Sequence, residues 1–110
     1  MTVKELAETL SLTVLAGKDS LNRPVTGGYT GDLLSWVMAR LPENAAWLTV
    51  MGNINAVAVA SLKDAACIIL TDSAPLDEQA RDKARELDLA VLTSRKNSYE
   101  LGLKLAELLG

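Results

Sequence analysis

The stretch Ala66-Cys67-Ile68-Ile69-Leu70, followed by the polar residues Thr71-Asp72-Ser73, decides the fold that we predict for this chain. A near-continuous apolar run of strand length is typical of a strand that is covered on both faces. Similar segments lie on either side of it, at residues 46–51 and 90–93. About a dozen residues or more separate neighbouring segments, which is the length of a helical crossover and not of a hairpin. The sequence therefore predicts parallel strands joined by helices.

Periodicity predicts the elements around these strands. Apolar residues recur at helical spacing in four segments, at 3–10, 33–41, 76–88 and 98–109. The segment 54–64 alternates as a strand would, but the flanking strands require a crossover there, so we interpret it as a helix. Residues 13–16 indicate a short strand, and 22–30 indicate irregular chain or an edge strand. These elements predict one α/β domain over residues 1–110, in three layers (α/β/α) with a mostly parallel sheet.

Polar residues predict where several helices begin. Thr2-Val3-Lys4-Glu5 fits a capping box, and Asp32 fits an N-cap before an apolar stripe of Leu33, Leu34, Val37, Met38 and Leu41. Asp72 or Ser73 could cap the helix at 76–88, and Asn53 or Asn55 the helix at 54–64. Trp36 lies off the apolar stripe, so we expect it to be packed under a loop or buried in a partner.

Composition excludes several classes of function. The chain of 110 residues has a net charge of −3, no histidine and one cysteine. Without histidine there is no Ser-His or Cys-His nucleophile pair and no His-ligated metal, and we expect neither a metal nor a cofactor. Cys67 is expected in the core. No Lys/Arg run indicates nucleic-acid binding, and no apolar run approaches the roughly 20 residues of a membrane span. Because the first residues lack a signal peptide's apolar stretch, we expect a cytoplasmic protein.

Polar residues also follow the predicted strands. They are Gly52-Asn53-Ile54-Asn55, Thr71-Asp72-Ser73 and Thr93-Ser94-Arg95-Lys96. Parallel α/β sheets bind ligands at the carboxyl ends of their strands, where helix N-termini favour anions. These residues are therefore either helix caps or a ligand site, and both interpretations stay open.

The segment Val25–Asp32 contains three glycines just before a helix. Successive backbone amides in such a loop could form a nest that binds an anion, or the glycines could simply allow a tight turn. Arg23 and Tyr29 could add a cation and a stacking ring to that site. Alternatively, Arg23 could pair with Asp19 or Asp32.

The segment Arg23-Pro24-Val25-Thr26-Gly27-Gly28-Tyr29, with Asp32-Leu33-Leu34-Ser35 after it, resembles the DRTGG domain family. Arg23, Thr26, Gly27 and Gly28 match the R, T, G and G of the motif, whereas Asn22 stands where the family name has an acidic residue. The segments 47–50 and 53–60 are also similar to the family, so the resemblance extends over about residues 3 to 109.

The resemblance implies an architecture and a role. Similar domains accompany CBS domains in regulated pyrophosphatases, occur in phosphotransacetylases and share their fold with the N-terminal domain of HPr kinases. Catalytic residues of those proteins belong to other domains. The resemblance therefore implies a fold like that N-terminal domain, dimer contacts, and regulation by adenine nucleotides.

Together these observations predict a non-catalytic regulatory or sensor module that is a homodimer and binds a small anionic ligand, such as an adenine nucleotide. The expected ligand-binding residues are Arg23, Thr26, Gly27, Gly28, Tyr29, Asn53, Asn55, Thr71, Asp72 and Ser73. The alternative is a protein-interaction adaptor that uses Trp36 and Arg40. An enzyme would need carboxylates, and nothing in the spacing of Asp32, Asp64 and Asp72 brings these together.

Overall fold

Buried strands form one sheet at the centre of the computed structural model, which describes all 110 residues. The sheet has five strands in the order β1-β5-β4-β3-β2. Their bounds are β1 Thr13–Ala16, β2 Gly27–Thr30, β3 Ala45–Thr49, β4 Cys67–Leu70 and β5 Ala90–Thr93. Strands β2 to β5 are parallel to their neighbours, and β1 pairs with β5 in the antiparallel direction. The predicted edge strand is thus β2.

Helices cover both faces of the sheet. Their bounds are α1 Val3–Thr9, α2 Leu34–Arg40, α3 Ile54–Leu62, α4 Glu78–Glu86 and α5 Ser98–Leu109, with a short 3-10 turn at Lys18–Ser20. The helices α2, α3 and α4 pack on one face, with Trp47 and Ile68. The helices α1 and α5 pack on the other face, with Leu48 and Ile69. The predicted three-layer fold is confirmed. None of the helices is long and apolar enough to cross a membrane.

The burial of strand β4 makes its one cysteine unreactive. All four of its residues are buried, and Cys67 has no exposed surface. Desolvation raises the pKa of the Cys67 thiol to about 12, because burial disfavours the thiolate. Cys67 is therefore a core residue, as expected, and is not a reactive thiol.

Two of the predicted caps are confirmed. Thr2 and Glu5 form the capping box of α1. The Asn53 side chain accepts a hydrogen bond from the Ala56 amide at 2.8 Å, so Asn53 caps α3.

The prediction for the start of α2 is wrong, because Asp32 does not cap this helix. Leu33 occupies the N-cap position without a side-chain hydrogen bond. The Asp32 carboxylate instead accepts from the Thr49 hydroxyl at 2.6 Å and from the Val50 amide at 3.0 Å. Asp32 thus joins the end of β2 to the end of β3. The apolar stripe is also narrower than predicted, since Leu33 and Met38 are 59% and 39% exposed.

The predicted cap of α4 is wrong as well. Asp77 occupies the N-cap position, and it makes no side-chain cap bond. Asp72 and Ser73 lie upstream in the left-handed backbone region, with φ of 56° and 53°. They belong to a loop that crosses the end of the sheet before the helix begins.

We expect Asp32→Ala to destabilise the protein by about 1–3 kcal/mol, because it removes a charged acceptor and leaves the Thr49 hydroxyl and the Val50 amide unpaired. Asp32→Asn keeps one acceptor oxygen and should therefore lose less stability than Asp32→Ala. Thermal unfolding measures the difference, at roughly 4–8 °C per kcal/mol for a domain of about this size. A midpoint for Asp32→Ala equal to that of the unchanged protein would refute this role.

Candidate functional site

The β4–α4 loop, residues 71–77, crosses the carboxyl end of the sheet. The Asp72 amide donates to the Lys96 carbonyl and the Ser73 amide to the Ser94 carbonyl, each at 2.9 Å. At its other end, the Asp77 amide donates to the Gly52 carbonyl at 2.8 Å. The loop is therefore tied to the segments that follow both β5 and β3. It covers the place where we expected an open ligand crevice.

Gly52 is required by this arrangement. A Cβ atom at position 52 would collide with the backbone carbonyl of Pro75 in the β4–α4 loop. Because the atoms in the way belong to the backbone, they cannot move aside as the end of a flexible side chain could. Gly52 therefore allows the two loops to pack against each other.

Four of the predicted ligand-binding residues lie at this end of the sheet, and they differ from one another in burial. Thr71 is fully buried, and its hydroxyl is hydrogen-bonded to that of Ser98 at 2.9 Å. Asp72 and Ser73 are exposed in the β4–α4 loop, and Asn55 is exposed in the first turn of α3. A ligand at the carboxyl end can reach the last three side chains, whereas the Thr71 side chain already has a structural role.

The structure places Arg23 and Thr26 at the opposite, amino end of the parallel strands. The Thr26 amide donates to the Asn44 carbonyl, just before β3. The Arg23 guanidinium donates to the Asp64 carbonyl at 2.7 Å and to the Asn44 side chain at 3.4 Å. Neither Asp19 nor Asp32 pairs with Arg23, so that alternative is wrong. The structure does not bring this group together with Asn53 and the β4–α4 loop.

The interpretation of the glycine segment as an anion-binding nest is wrong. Gly27, Gly28 and Tyr29 form extended strand β2, and neither glycine has a positive φ. Gly28 instead permits close packing of α5, since a Cβ atom there would lie 2.6 Å from a Leu105 methyl group. A larger residue at position 28 would require the Leu105 side chain to shift.

An open cavity of about 340 Å³ lies beside the covered part of the carboxyl end. We call it the hydroxyl cavity, because five of its six lining residues carry hydroxyls: Ser11, Thr13, Ser73, Thr93, Ser94 and Arg95. Antiparallel pairing of Thr13 with Thr93 brings the α1–β1 turn to this end of the sheet. The sequence identified residues 93–96 as a strand end. It gave no signal that Ser11 and Thr13 would join them.

The lining of the hydroxyl cavity carries one positive charge, that of Arg95. None of its lining residues is acidic. Arg95 is exposed and forms no ion pair, since the structure contains only the pairs Lys83–Glu86 and Arg85–Asp82. A neighbouring groove shares Ser11 and adds Lys96 and Lys104, together with one carboxylate, Glu107. In a chain of net charge −3, this arrangement favours anions locally.

A second surface lies on α2. Trp36 is 55% exposed, and the Arg40 guanidinium lies over its ring at 4.1 Å from the centroid. This cation–π contact fixes the tryptophan on the outside of the helix. Trp36 thus lies off the apolar stripe, as predicted, but the prediction that it could be packed under a loop is wrong, since its side chain is exposed.

Carboxylates are dispersed in the fold. No group of three or more Cys, Asp and Glu side chains lies close enough together to hold a metal ion. Asp32 accepts a hydrogen bond from Thr49 at the carboxyl end of β3, whereas Asp64 lies just before β4, at the amino end of the parallel strands. Asp72 lies in the β4–α4 loop.

Comparison with known proteins identifies a family and a fold. The family model described as "DRTGG domain" matches residues 5–108. No curated protein matches the chain. Among solved structures, the chain is similar to the CBS and DRTGG domains of the regulatory region of Clostridium perfringens pyrophosphatase, complexed with the activator diadenosine tetraphosphate. The TM-score is 0.74 at 12% identity over 93% of this chain, which spans only 44% of that one.

We expect Gly52→Ala to destabilise the protein strongly or displace the β4–α4 loop, because the new methyl group would overlap backbone atoms. Gly27→Ala is the matched control, since a Cβ atom there has no neighbour within 4 Å. Thermal unfolding and amide hydrogen exchange of residues 71–77 measure both effects. Equal behaviour of the two variants would show that the loops are not in contact as described.

Proposed function

This chain belongs to the DRTGG domain family, and we propose that it is a non-catalytic regulatory module that binds a small anionic ligand, an adenine nucleotide, as a homodimer. The observation that carries the proposal is the hydroxyl cavity at the carboxyl end of the sheet, with Arg95 and no acidic lining residue. Parallel α/β sheets bind ligands at this end. A cavity of about 340 Å³ is within the usual size range of small-molecule sites.

The available side chains support binding more than catalysis. The chain has no histidine, and Cys67 is fully buried with a raised pKa. The Ser-His and Cys-His pairs that commonly activate a nucleophile are therefore absent. The similar pyrophosphatase region is described as regulatory and as binding an adenine dinucleotide activator, which makes adenine nucleotides the first ligands to test.

Strand β2 supports the homodimer. It is the last strand of the sheet, so its outer row of backbone amides and carbonyls has no strand partner. Because the Thr26 amide bonds toward β3, the alternation of a strand directs the backbone groups of Gly27 and Tyr29 outward. Residues 27–30 contain no charge and no proline that would discourage pairing. In this proposal the motif glycines serve the dimer and the packing of α5, and the ligand binds near the opposite edge of the sheet, where β5 ends beside the start of β1.

The second candidate function is that of a protein-interaction adaptor. Exposed Trp36 with Arg40 stacked on it favours this candidate, because tryptophan and arginine are enriched where binding energy concentrates. Leu33 extends the apolar surface, at 59% exposure. This surface requires no small molecule, so the two functions can be separated by experiment.

The ligand proposal predicts a saturable rise of the unfolding midpoint with AMP, ATP or diadenosine tetraphosphate. A ligand that binds only the native state stabilises it by about 2.7 kcal/mol at 100 times its Kd. For a domain near this size, that corresponds to a rise of roughly 10 °C or more. Adenosine is the control without phosphate. No shift with any nucleotide at millimolar concentration would contradict the ligand proposal.

The adaptor candidate predicts that Trp36→Ala leaves thermal stability within about 0.5 kcal/mol, as is usual for exposed positions, but weakens self-association or partner binding. Sedimentation equilibrium over a range of concentrations measures self-association. Tyr99→Ala is the control, since Tyr99 is a 76% exposed aromatic on α5, outside the α2 surface. Equal association of both variants and the unchanged protein would remove the support for Trp36 in self-association.

A further inference from the structure

We propose that the hydroxyl cavity is a phosphoryl-binding site, in which the Arg95 guanidinium supplies the charge and the hydroxyls of Ser11, Thr13, Ser73 and Thr93 supply hydrogen bonds. This inference rests on the proposed function and deepens it, because it names the ligand group and the residues that hold it. Among these residues, Ser73 was an expected ligand-binding residue. Thr93 and Arg95 belong to a strand end that the sequence left open as helix caps or a ligand site, whereas Ser11 and Thr13 had no sequence signal.

Most of the hydroxyl groups that line the cavity have no hydrogen-bond partner within the protein. Other hydroxyls at this end have partners: Thr71 bonds to Ser98, Thr49 donates to Asp32, and Ser94 accepts from the Lys96 amide. By contrast, the four cavity hydroxyls of Ser11, Thr13, Ser73 and Thr93 make no hydrogen bond within the protein. All four residues line the same cavity.

Backbone amides add to the same set of donors. Neighbouring amides are used, since the Ser94 amide donates to the Leu70 carbonyl and the Ser73 amide to the Ser94 carbonyl. The amides of Ser11 and Arg95, in contrast, donate to no acceptor in the protein. Each sits beside a hydroxyl or a guanidinium that lines the cavity.

The chemistry of this lining selects its ligand. A tetrahedral phosphoryl group presents several acceptor oxygens and a negative charge, and arginine binds it with two parallel hydrogen bonds. The lining has many donors and no carboxylate that would repel the anion. Lys96 and Lys104, in the adjoining groove, extend the positive charge beyond the cavity, where further phosphates of a nucleotide would lie. A carbohydrate would offer the guanidinium acceptor oxygens but no negative charge, and an apolar ligand would offer neither.

The site also connects two parts of the fold. Ser11 lies in the α1–β1 turn and Thr13 is the first residue of β1, whereas Ser73 belongs to the β4–α4 loop. A phosphoryl group bound between them would hold these segments together. Its binding would therefore slow amide exchange in both segments at once.

The test is isothermal titration calorimetry at low ionic strength on the full chain, with inorganic phosphate, AMP, ATP and adenosine as probes. We expect ATP and AMP to bind, phosphate to compete with them, and adenosine not to bind. Arg95→Gln should weaken ATP binding at least tenfold. Arg85→Gln is the charge-matched control, because Arg85 is an exposed arginine on α4 and should leave the affinity unchanged.

Thr93→Val provides a second variant, since it removes one cavity hydroxyl and keeps the shape of a strand residue. It should weaken ATP binding several-fold, and it keeps the test decisive if Arg95→Gln fails to fold. Binding of ATP that phosphate does not compete with, and that neither variant weakens, would overturn the phosphoryl site but leave nucleotide binding standing. No binding of any probe to the unchanged protein would overturn the proposed function as well.

Discussion

Burial of the central strand on both faces is the constraint on which the rest of the structure depends. Every residue of β4 is buried, with Ile68 packed under α3 and α4 and Ile69 packed under α1 and α5. A strand covered in this way carries no accessible polar side chain, and its burial keeps the Cys67 thiol unreactive. Polar and charged groups are therefore confined to the two ends of the sheet and to the outer helix surfaces.

The polar groups at the two ends of the sheet differ in how far they are committed to contacts within the protein. At the amino end, Arg23 bonds to the chain before β3 and β4, so its charge is committed to holding segments together. At the carboxyl end, the β4–α4 loop crosses the middle of the sheet, and the hydroxyl cavity lies beside it, where β5 ends next to the start of β1. The cavity is lined by Arg95 and by hydroxyls that have no hydrogen-bond partner within the protein. The location of the candidate site thus follows from what the loop covers.

Local patterns in the sequence predicted most of the elements but not their distant contacts. The helix at 98–109 and the strand at 90–93 coincide with their predicted bounds, because strong periodicity and polar flanks are local signals. Asp32 was misassigned because an aspartate before a helix has the pattern of an N-cap, whereas its partner Thr49 lies 17 residues away. Ser11 and Thr13 were missed for a related reason. Their position depends on the antiparallel pairing of β1 with β5, which no local pattern encodes.

The hydroxyl cavity is the proposed phosphoryl-binding site of this member of the DRTGG domain family. Amide chemical-shift mapping by NMR during an ATP titration tests this claim most directly, since it locates binding residue by residue without any substitution. The account predicts saturable shifts concentrated at Ser11, Ser73, Ser94 and Arg95. Shifts concentrated at Arg23 to Tyr29, with the cavity amides unchanged, would contradict it.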